Sequence, residues 1–319
     1  GGASASGSGS SSGSSSGGDD DDGILRFMVV GDWGRDGASG QREVAAAMKA
    51  WADANDADFV VSTGDNFYTE GIQSVDSPQV ASSWTDVYLS PNGVGLDMPW
   101  YVVLGNHDEM GSIDAQVAMH AQYELWNLPA FYYDLTEPLG TGANGAGDKC
   151  AHFLFMRSSE FIAQYANRHL PHVDKAAQRA WYSDRVAYGR ANCRWVFYVA
   201  HHPFFSGGNH PPDYHDMRHN GYDPNGYDPG VFDATFTGHS HTLEHIVWAD
   251  FDHFVSGAGS AMIPNVDTVT GTQYASVEHH GFLAVTVTPT QATYEFFGTE
   301  IGAPPLHAVT RSVRDFGAA

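Results

Sequence analysis

The chain has 319 residues, 42% of them hydrophobic and 13% aromatic, and its 15 Lys and Arg face 38 Asp and Glu for a formal charge of −23. That is enough apolar material for one large domain or two ordinary ones, and too acidic for nucleic acid or anionic membranes to be partners, since both need a basic face. No run of roughly 18 apolar residues is present to span a bilayer, two Cys exclude a disulfide-rich scaffold and a four-cysteine zinc site, and 17 His outnumber Lys and Arg together, which points to metal chemistry.

Residues 1–18 are only Gly, Ala and Ser, followed by Asp at 19–22. Such a segment buries no apolar surface and reads as a flexible coil over 1–23, with one catalytic domain over 24–319. A surface tether for an exported enzyme is the preferred reading of that coil, an expression linker the other. The body then alternates. A mostly apolar run at 24–30 ends in Gly31-Asp32-Trp33-Gly34, and a helix over Gln41–Asn55 places Val44, Ala47, Met48 and Trp51 on one face. Strand 58–62 leads into Gly64-Asp65-Asn66-Phe67-Tyr68, and strand 100–104 into Gly105-Asn106-His107-Asp108. After a helix at 174–188, strand 195–200 runs into His201-His202-Pro203, and strand Ala234–Thr237 into Gly238-His239-Ser240-His241. Strands alternating with helices predict βαβ units and a largely parallel sheet. The last 75 residues or so turn to strand patterns, with a hairpin from 282–288 to 293–297.

Ligands of open α/β sheets bind beyond the carboxyl ends of the strands. Five such ends deliver Asp32, Asp65 with Tyr68, Asn106 with His107, His201, and His239 with His241. Carboxylate, imidazole, amide and phenolate are all metal ligands, and they are too many for one ion. Two adjacent metals sharing a carboxylate fit the count.

This set of five motifs, with Trp126-Asn127-Leu128-Pro129 and Ser256-Gly257-Ala258-Gly259, resembles the metallophosphoesterases, and among them the small, tartrate-resistant type of purple acid phosphatase. The resemblance covers about residues 24–300. It implies a four-layer α/β/β/α sandwich with two central mixed sheets and a dinuclear site at one edge. It further implies that Asp65 bridges the metals, that Asp32, Tyr68 and His241 complete an Fe(III) site, and that Asn106, His201 and His239 complete a site for Fe(II), Zn or Mn. Gly34 stands where generic members place a His ligand, and Tyr68 follows Asp65 by three residues; both departures favour ferric iron. A one-residue shift would make His202 the ligand, but the His-x-Pro register and the nine-residue spacing to His210 favour His201. His107 and His210 match the histidines that face the substrate, His210 as general acid. The implied activity is hydrolysis of small phosphate monoesters by in-line attack of a metal-bound hydroxide. A phosphodiesterase or nucleotidase on the same site, an iron-dependent peroxide protein, and an inactive metal-binding module are the rivals.

Three further expectations concern this chain alone. Cys150 and Cys193 each precede an apolar strand, and those strands flank one helix, so a right-handed βαβ unit would set them about 4.8 Å apart and within disulfide reach. With the Ser/Gly tail, that bond fits a secreted, periplasmic or cell-surface location. Arg35 reads as a solvated surface arginine in preference to a cation that meets the substrate's phosphate. The stretch 209–230, rich in His and Pro and holding two Gly-Tyr-Asp-Pro units, reads as a long loop beside the site. A lid is its preferred role, a third metal site on His215 and His219 its second.

Overall fold

The computed structural model describes residues 23–140, 150–166, 174–220, 231–248 and 251–314. The tail assigned to 1–23 therefore lies outside the described residues except for Gly23.

Among the described residues, fourteen strands form two sheets of seven. They are β1 (Leu25–Val30), β2 (Phe59–Ser62), β3 (Trp100–Val102), β4 (Trp126–Asn127), β5 (Tyr133–Pro138), β6 (Cys150–Phe155) and β7 (Trp195–Val199), then β8 (Ala234–Thr237), β9 (Leu243–Trp248), β10 (Phe251–Ser256), β11 (Thr272–Ser276), β12 (Phe282–Val287), β13 (Gln291–Phe297) and β14 (His307–Ser312). The first sheet has the order β14-β13-β12-β1-β2-β3-β4, the second β11-β9-β10-β8-β7-β6-β5. Strands β1 to β4 pair in parallel, as do β6, β7, β8 and β10, while antiparallel strands flank both groups. The single largely parallel sheet read from the alternation is thus two mixed sheets, as the family resemblance implied. Periodicity cannot see which strand pairs with which, and the break falls between the parallel run that ends at β4 and the one that starts at β6.

Strands buried on both faces, such as β1, β2 and β7, are nearly all apolar, whereas β14 alternates half-buried with exposed residues at a sheet edge. Between the sheets lies a layer of aromatic rings. Phe27 of β1 stacks on Phe59 of β2 at 5.1 Å and meets Phe153 of β6 and Phe236 of β8 edge-on at 5.2 and 5.7 Å. Outside the first sheet, Val44, Met48 and Trp51 of the helix Gln41–Asn55 join the same core. Outside the second, Tyr182 and Val186 of the helix Lys175–Asn192 cover Leu154, Val196 and Tyr198. Helices, sheet, sheet, helices make the four layers.

Two expected boundaries move for definite reasons. The helix predicted at 174–188 is capped by the Asp174 carboxylate, which accepts from the N–H groups of Ala176 and Ala177, and it continues to Asn192. Gly189 does not stop it: a Cβ there would press on the His152 ring and on Val196, so this glycine lets the helix lie close on the sheet. The segment read as a loop from 209 contains the helix Pro211–Asn220, and 221–230 lies outside the described residues. Proline in a first helical turn loses no hydrogen bond, Asp213 suits the N-terminal end of the helix dipole, and Arg218 and His219 suit the C-terminal end. His215 and His219 stack on the exposed face of this helix, and among the described residues no third donor joins them. The third-metal reading of that pair is dropped.

Cys150 and Cys193 are disulfide-bonded, with Cα atoms 4.7 Å apart. The bond closes the crossover from β6 through the helix Lys175–Asn192 to its parallel neighbour β7. No helix among the described residues is long and apolar enough to cross a membrane.

Two histidines are buried in the second sheet as neutral rings. Burial, aided by Arg185, pushes the His152 imidazole down to about 4, and burial, aided by His245, pushes His253 down to about 3. An unfolded histidine titrates near 6.5, so below that pH the unfolded chain binds protons that the folded one refuses. Stability is therefore full above about pH 6.5 and falls as the pH drops toward the folded values, by about 2 kcal/mol per ring at pH 5. Urea midpoints are expected to fall between pH 7 and pH 5, and His152→Gln to flatten part of that slope. An unchanged slope in the variant would remove His152 from the account.

Candidate metal centre

The ends of β1, β2 and β3 in one sheet meet those of β7 and β8 in the other. Six non-glycine residues among those described have a positive φ, and three are sequence-predicted ligands: Asp32 at 60°, Asp65 at 52° and His239 at 64°. That conformation is uncommon and costs of order 1–3 kcal/mol where the surroundings must hold it. Here it turns the chain sharply at the strand ends, so that side chains from separate strands face one another. The approach is close enough that a Cβ on Gly105 would fall on the Asp65 carboxylate and its backbone nitrogen.

One carboxylate holds the loops together. Asp108 is buried and accepts from the backbone N–H groups of Gly105 (2.8 Å), Asn66 (3.0 Å) and Phe67 (3.1 Å) and from the Gln116 amide (2.8 Å). Burial, with the nearby charge of Asp65, pushes its carboxyl up to about 7. Asp108 ends the third motif, yet the sequence reading gave it no role, because a loop carboxylate that binds backbone looks like any turn former.

The Tyr68 hydroxyl lies 2.8 Å from Asp65 Oδ2, 2.9 Å from Asp32 Oδ1 and 3.0 Å from His241 Nε2. A phenol has one proton and cannot serve both carboxylates. Burial, then the charges of Asp32 and Asp65, push this phenol well above its usual value, so its ionisation needs a positive charge at the point where the four donors converge. That convergence, with two carboxylates and a phenol as hard oxygen donors, fits a highly charged metal ion. Gly34 completes the fit: its carbonyl accepts from the Tyr68 N–H at 2.8 Å, and a Cβ on it would land on the Asn66 carbonyl oxygen. A side chain at 34 and Tyr68 in its present place exclude each other.

The second cluster shares Asp65. His201 Nδ1 donates to the Thr63 carbonyl at 2.8 Å, which leaves Nε2 to face Asn106 Oδ1 at 3.1 Å and Asp65 Oδ1 at 3.5 Å. His202 has its Nδ1 on the Ser158 hydroxyl at 2.8 Å and groups with His201 and His239, but only His201 also groups with Asp32 and Asp65. Of the two registers open in the sequence, the geometry brings His201 into the cluster. His201 is raised above its ordinary value: burial alone would lower it, but Asp65 and Asp32 outweigh burial. The field at this point favours a cation.

His239 has a partner that sequence reasoning missed. Its Nε2 meets Asp213 Oδ2 at 3.0 Å, so the imidazole donates there, and His239 also groups with His201 and His202. Asp213 is buried on the first turn of the helix Pro211–Asn220 and also accepts from Gln164 (2.5 Å) and Tyr165 (3.3 Å). Its only signal in the sequence is a position three residues after His210. The donor atoms of His210, Asp213 and His239 lie within 4.8 Å of one another, as do those of Asp32, Asp65 and His201. His107 and His210 are half-buried at the rim. His107 Nδ1 donates to the Thr69 carbonyl at 2.6 Å, and the His210 ring lies 4.3 Å from that of His239. Arg35 is not the free surface residue that was expected: its guanidinium stacks on the Tyr68 ring, 3.6 Å from the centroid.

The family model for calcineurin-like phosphoesterases matches residues 25–243. The chain belongs to that family. Curated relatives of this phosphoesterase include Purple acid phosphatase 3 of Arabidopsis thaliana, 31% identical over 75% of the chain and 64% of that protein. Purple acid phosphatase 17 of the same plant is 31% identical over 75% and 69%. Tartrate-resistant acid phosphatase type 5 of Sus scrofa is 26% identical over 86% and 83%. The chain thus spans just under two thirds of the first of these relatives. Among solved structures, that of GAP50, the anchor in the inner membrane complex of Plasmodium, superposes with a TM-score of 0.77 at 20% identity, covering 92% of this chain and 90% of that one. PhoD gives 0.54 at 14% identity, covering 91% and 68%. These two likenesses speak to the fold alone.

Because Asp213 fixes which nitrogen of His239 faces the cluster, Asp213→Asn is expected to weaken retention of a divalent ion roughly 10- to 100-fold, the usual cost of losing a carboxylate behind a histidine ligand. Metal content after dialysis against a graded chelator measures it. Retention equal to wild type would show that the tautomer is set elsewhere.

Proposed function

We propose that this phosphoesterase is an acid phosphatase with a dinuclear metal centre, and that it hydrolyses small phosphate monoesters. Asp32, Tyr68, His241 and Asp65 would hold Fe(III); Asp65, Asn106, His201 and His239 would hold a divalent ion, Fe(II), Zn or Mn. The Tyr68 hydroxyl, set between the Asp32 and Asp65 carboxylates and beside His241, carries this reading, since an uncharged phenol has one proton for two carboxylates. Purple acid phosphatases among the relatives support it independently.

A metal pair supplies Lewis acidity toward phosphoryl oxygens and makes a bound water acidic enough to act as nucleophile below neutrality. The chain's own residues do the rest. His107 is oriented by its Nδ1 bond to Thr69; in the imidazolium form its Nε2 would also carry a proton and donate to the phosphoryl group as charge builds on it. His210 stands on the opposite rim, before the helix Pro211–Asn220, and hands a proton to the departing oxygen. The disulfide supports export to an oxidising compartment, secreted, periplasmic or cell-surface, with residues 1–23 as a tether.

Loading with iron is expected to give a visible charge-transfer band that Tyr68→Phe removes. An unchanged spectrum in the iron-loaded variant would take Tyr68 out of the ligand set. His210→Ala is expected to slow an alkyl phosphate by roughly 10²- to 10⁴-fold and 4-nitrophenyl phosphate far less, because only the poor leaving group needs its proton in the transition state. Equal losses for both esters would leave His210 with binding, and His107 as the candidate acid.

A further inference from the structure

Arg35 sits where a solvated arginine has no reason to be. Its guanidinium lies flat on the Tyr68 ring, and its Nε donates to the Ser260 hydroxyl at 3.1 Å. Ser260 in turn donates to the Asp32 carbonyl, and the Arg35 N–H donates to Gln41 Oε1 at 3.1 Å. Backbone and Nε are thus fixed to the loop that carries Asp32. Among the described residues the two Nη groups make no hydrogen bond or ion pair, and the side chain is half-buried. Four N–H bonds of a planar fork are held, unspent, one ring-width from the hydroxyl at which Asp32, Asp65 and His241 converge. No other Lys or Arg among the described residues stacks on that ring. In a chain of formal charge −23, a cation fixed there lowers the Tyr68 phenol against burial and offers its free N–H groups to an anion.

We infer that Arg35 is a specificity-determining residue that receives the third non-bridging oxygen of a phosphate monoester and so sets this site for monoesters over diesters. The inference rests on the metallophosphatase reading above and deepens it. A monoester dianion has three non-bridging oxygens. Two of them would be taken by a metal pair held in the clusters, and the third would accept from the guanidinium. A diester has only two such oxygens to share, and its second ester group would leave the fork with nothing charged to bind. A guanidinium brings directed, charge-assisted N–H groups to that oxygen, where a lysine ammonium brings a point charge only.

The test uses the metal-loaded full chain. Arg35→Gln is expected to lower kcat/KM for 4-nitrophenyl phosphate roughly 10- to 100-fold, the worth of one charge-assisted hydrogen bond. It should leave bis(4-nitrophenyl) phosphate within about threefold of wild type and weaken inorganic phosphate binding, read by equilibrium dialysis, by the same factor as the monoester. Arg35→Lys should recover part of both losses. Unchanged metal content and an unchanged tyrosinate band in Arg35→Gln show that the centre is intact. Equal losses on the two esters, or a shifted band with both esters slowed, would overturn the inference and leave Arg35 as a support for Tyr68. Equal phosphate affinity in wild type and variant overturns it regardless of turnover. A wild type that retains no metal and cleaves neither ester would sink the phosphatase reading instead, and there the phosphate affinity of the two proteins still decides the role of Arg35.

Discussion

The backbone N–H of His239 donates to Asp32 Oδ2 at 2.8 Å, and that bond ties two sheets into one site. Asp32 ends a strand of the first sheet; His239 follows a strand of the second. Beside it the His201 imidazole, from the second sheet, donates to the Thr63 carbonyl of the first, and the Gly31 N–H donates to the Ser256 carbonyl at 2.8 Å. The cluster is therefore not mounted on a finished scaffold. Its own side chains and backbone make the seam that sets the distance between the sheets. Charge accounts for what this costs: Asp32, Asp65 and Asp108 are all buried here. Asp32 stays below the ordinary carboxylate range, since burial, which would raise it, is outweighed by His241, His201 and the Tyr68 hydroxyl. Such a concentration of negative charge is compensated most directly by cations bound at its centre.

The strand ends were legible because their signal is local. A strand, a turn and a metal-competent side chain lie within a few residues of one another, and five repetitions of the pattern leave little room for chance. What stayed hidden acts between segments. Asp213 bonds His239 from 26 residues away, and Arg35 stacks on a ring 33 residues ahead of it. Neither distance leaves a trace in periodicity or spacing. Pro211 and Pro212 misled for a different reason: proline marks a loop and the first turn of a helix equally well, and only the packing of Tyr214 and Met217 against the body decides between them.

That helix bears on the site at two points besides Asp213. The Tyr214 hydroxyl meets the Ser240 hydroxyl at 3.2 Å, between His239 and His241, and also accepts from the His210 N–H at 3.2 Å. One short element thus fixes the His239 imidazole, the loop that carries His241, and the proposed acid His210. A helix serves this purpose better than the expected loop, because Asp213 and Tyr214 on its first turn keep a constant spacing. The exposed His215 and His219 lie on its other side and are free of the site.

The two ends of the second sheet are held by different means, and the difference matters for a protein proposed to work in acid. At the carboxyl ends of the strands the clamp is the cluster itself. At the other end, where β6 and β7 begin, the clamp is the Cys150–Cys193 bond. Closing a crossover of about 43 residues stabilises the fold by about 4 kcal/mol in the chain-entropy account. The neutral His152 and His253, in the same sheet, withdraw about 2 kcal/mol each at pH 5 by proton linkage. The two magnitudes are comparable and opposite. A covalent link has no titrating group, so its contribution persists in the range where the buried histidines cost most. On that arithmetic the disulfide offsets, in acid, what the buried imidazoles of its own sheet take away.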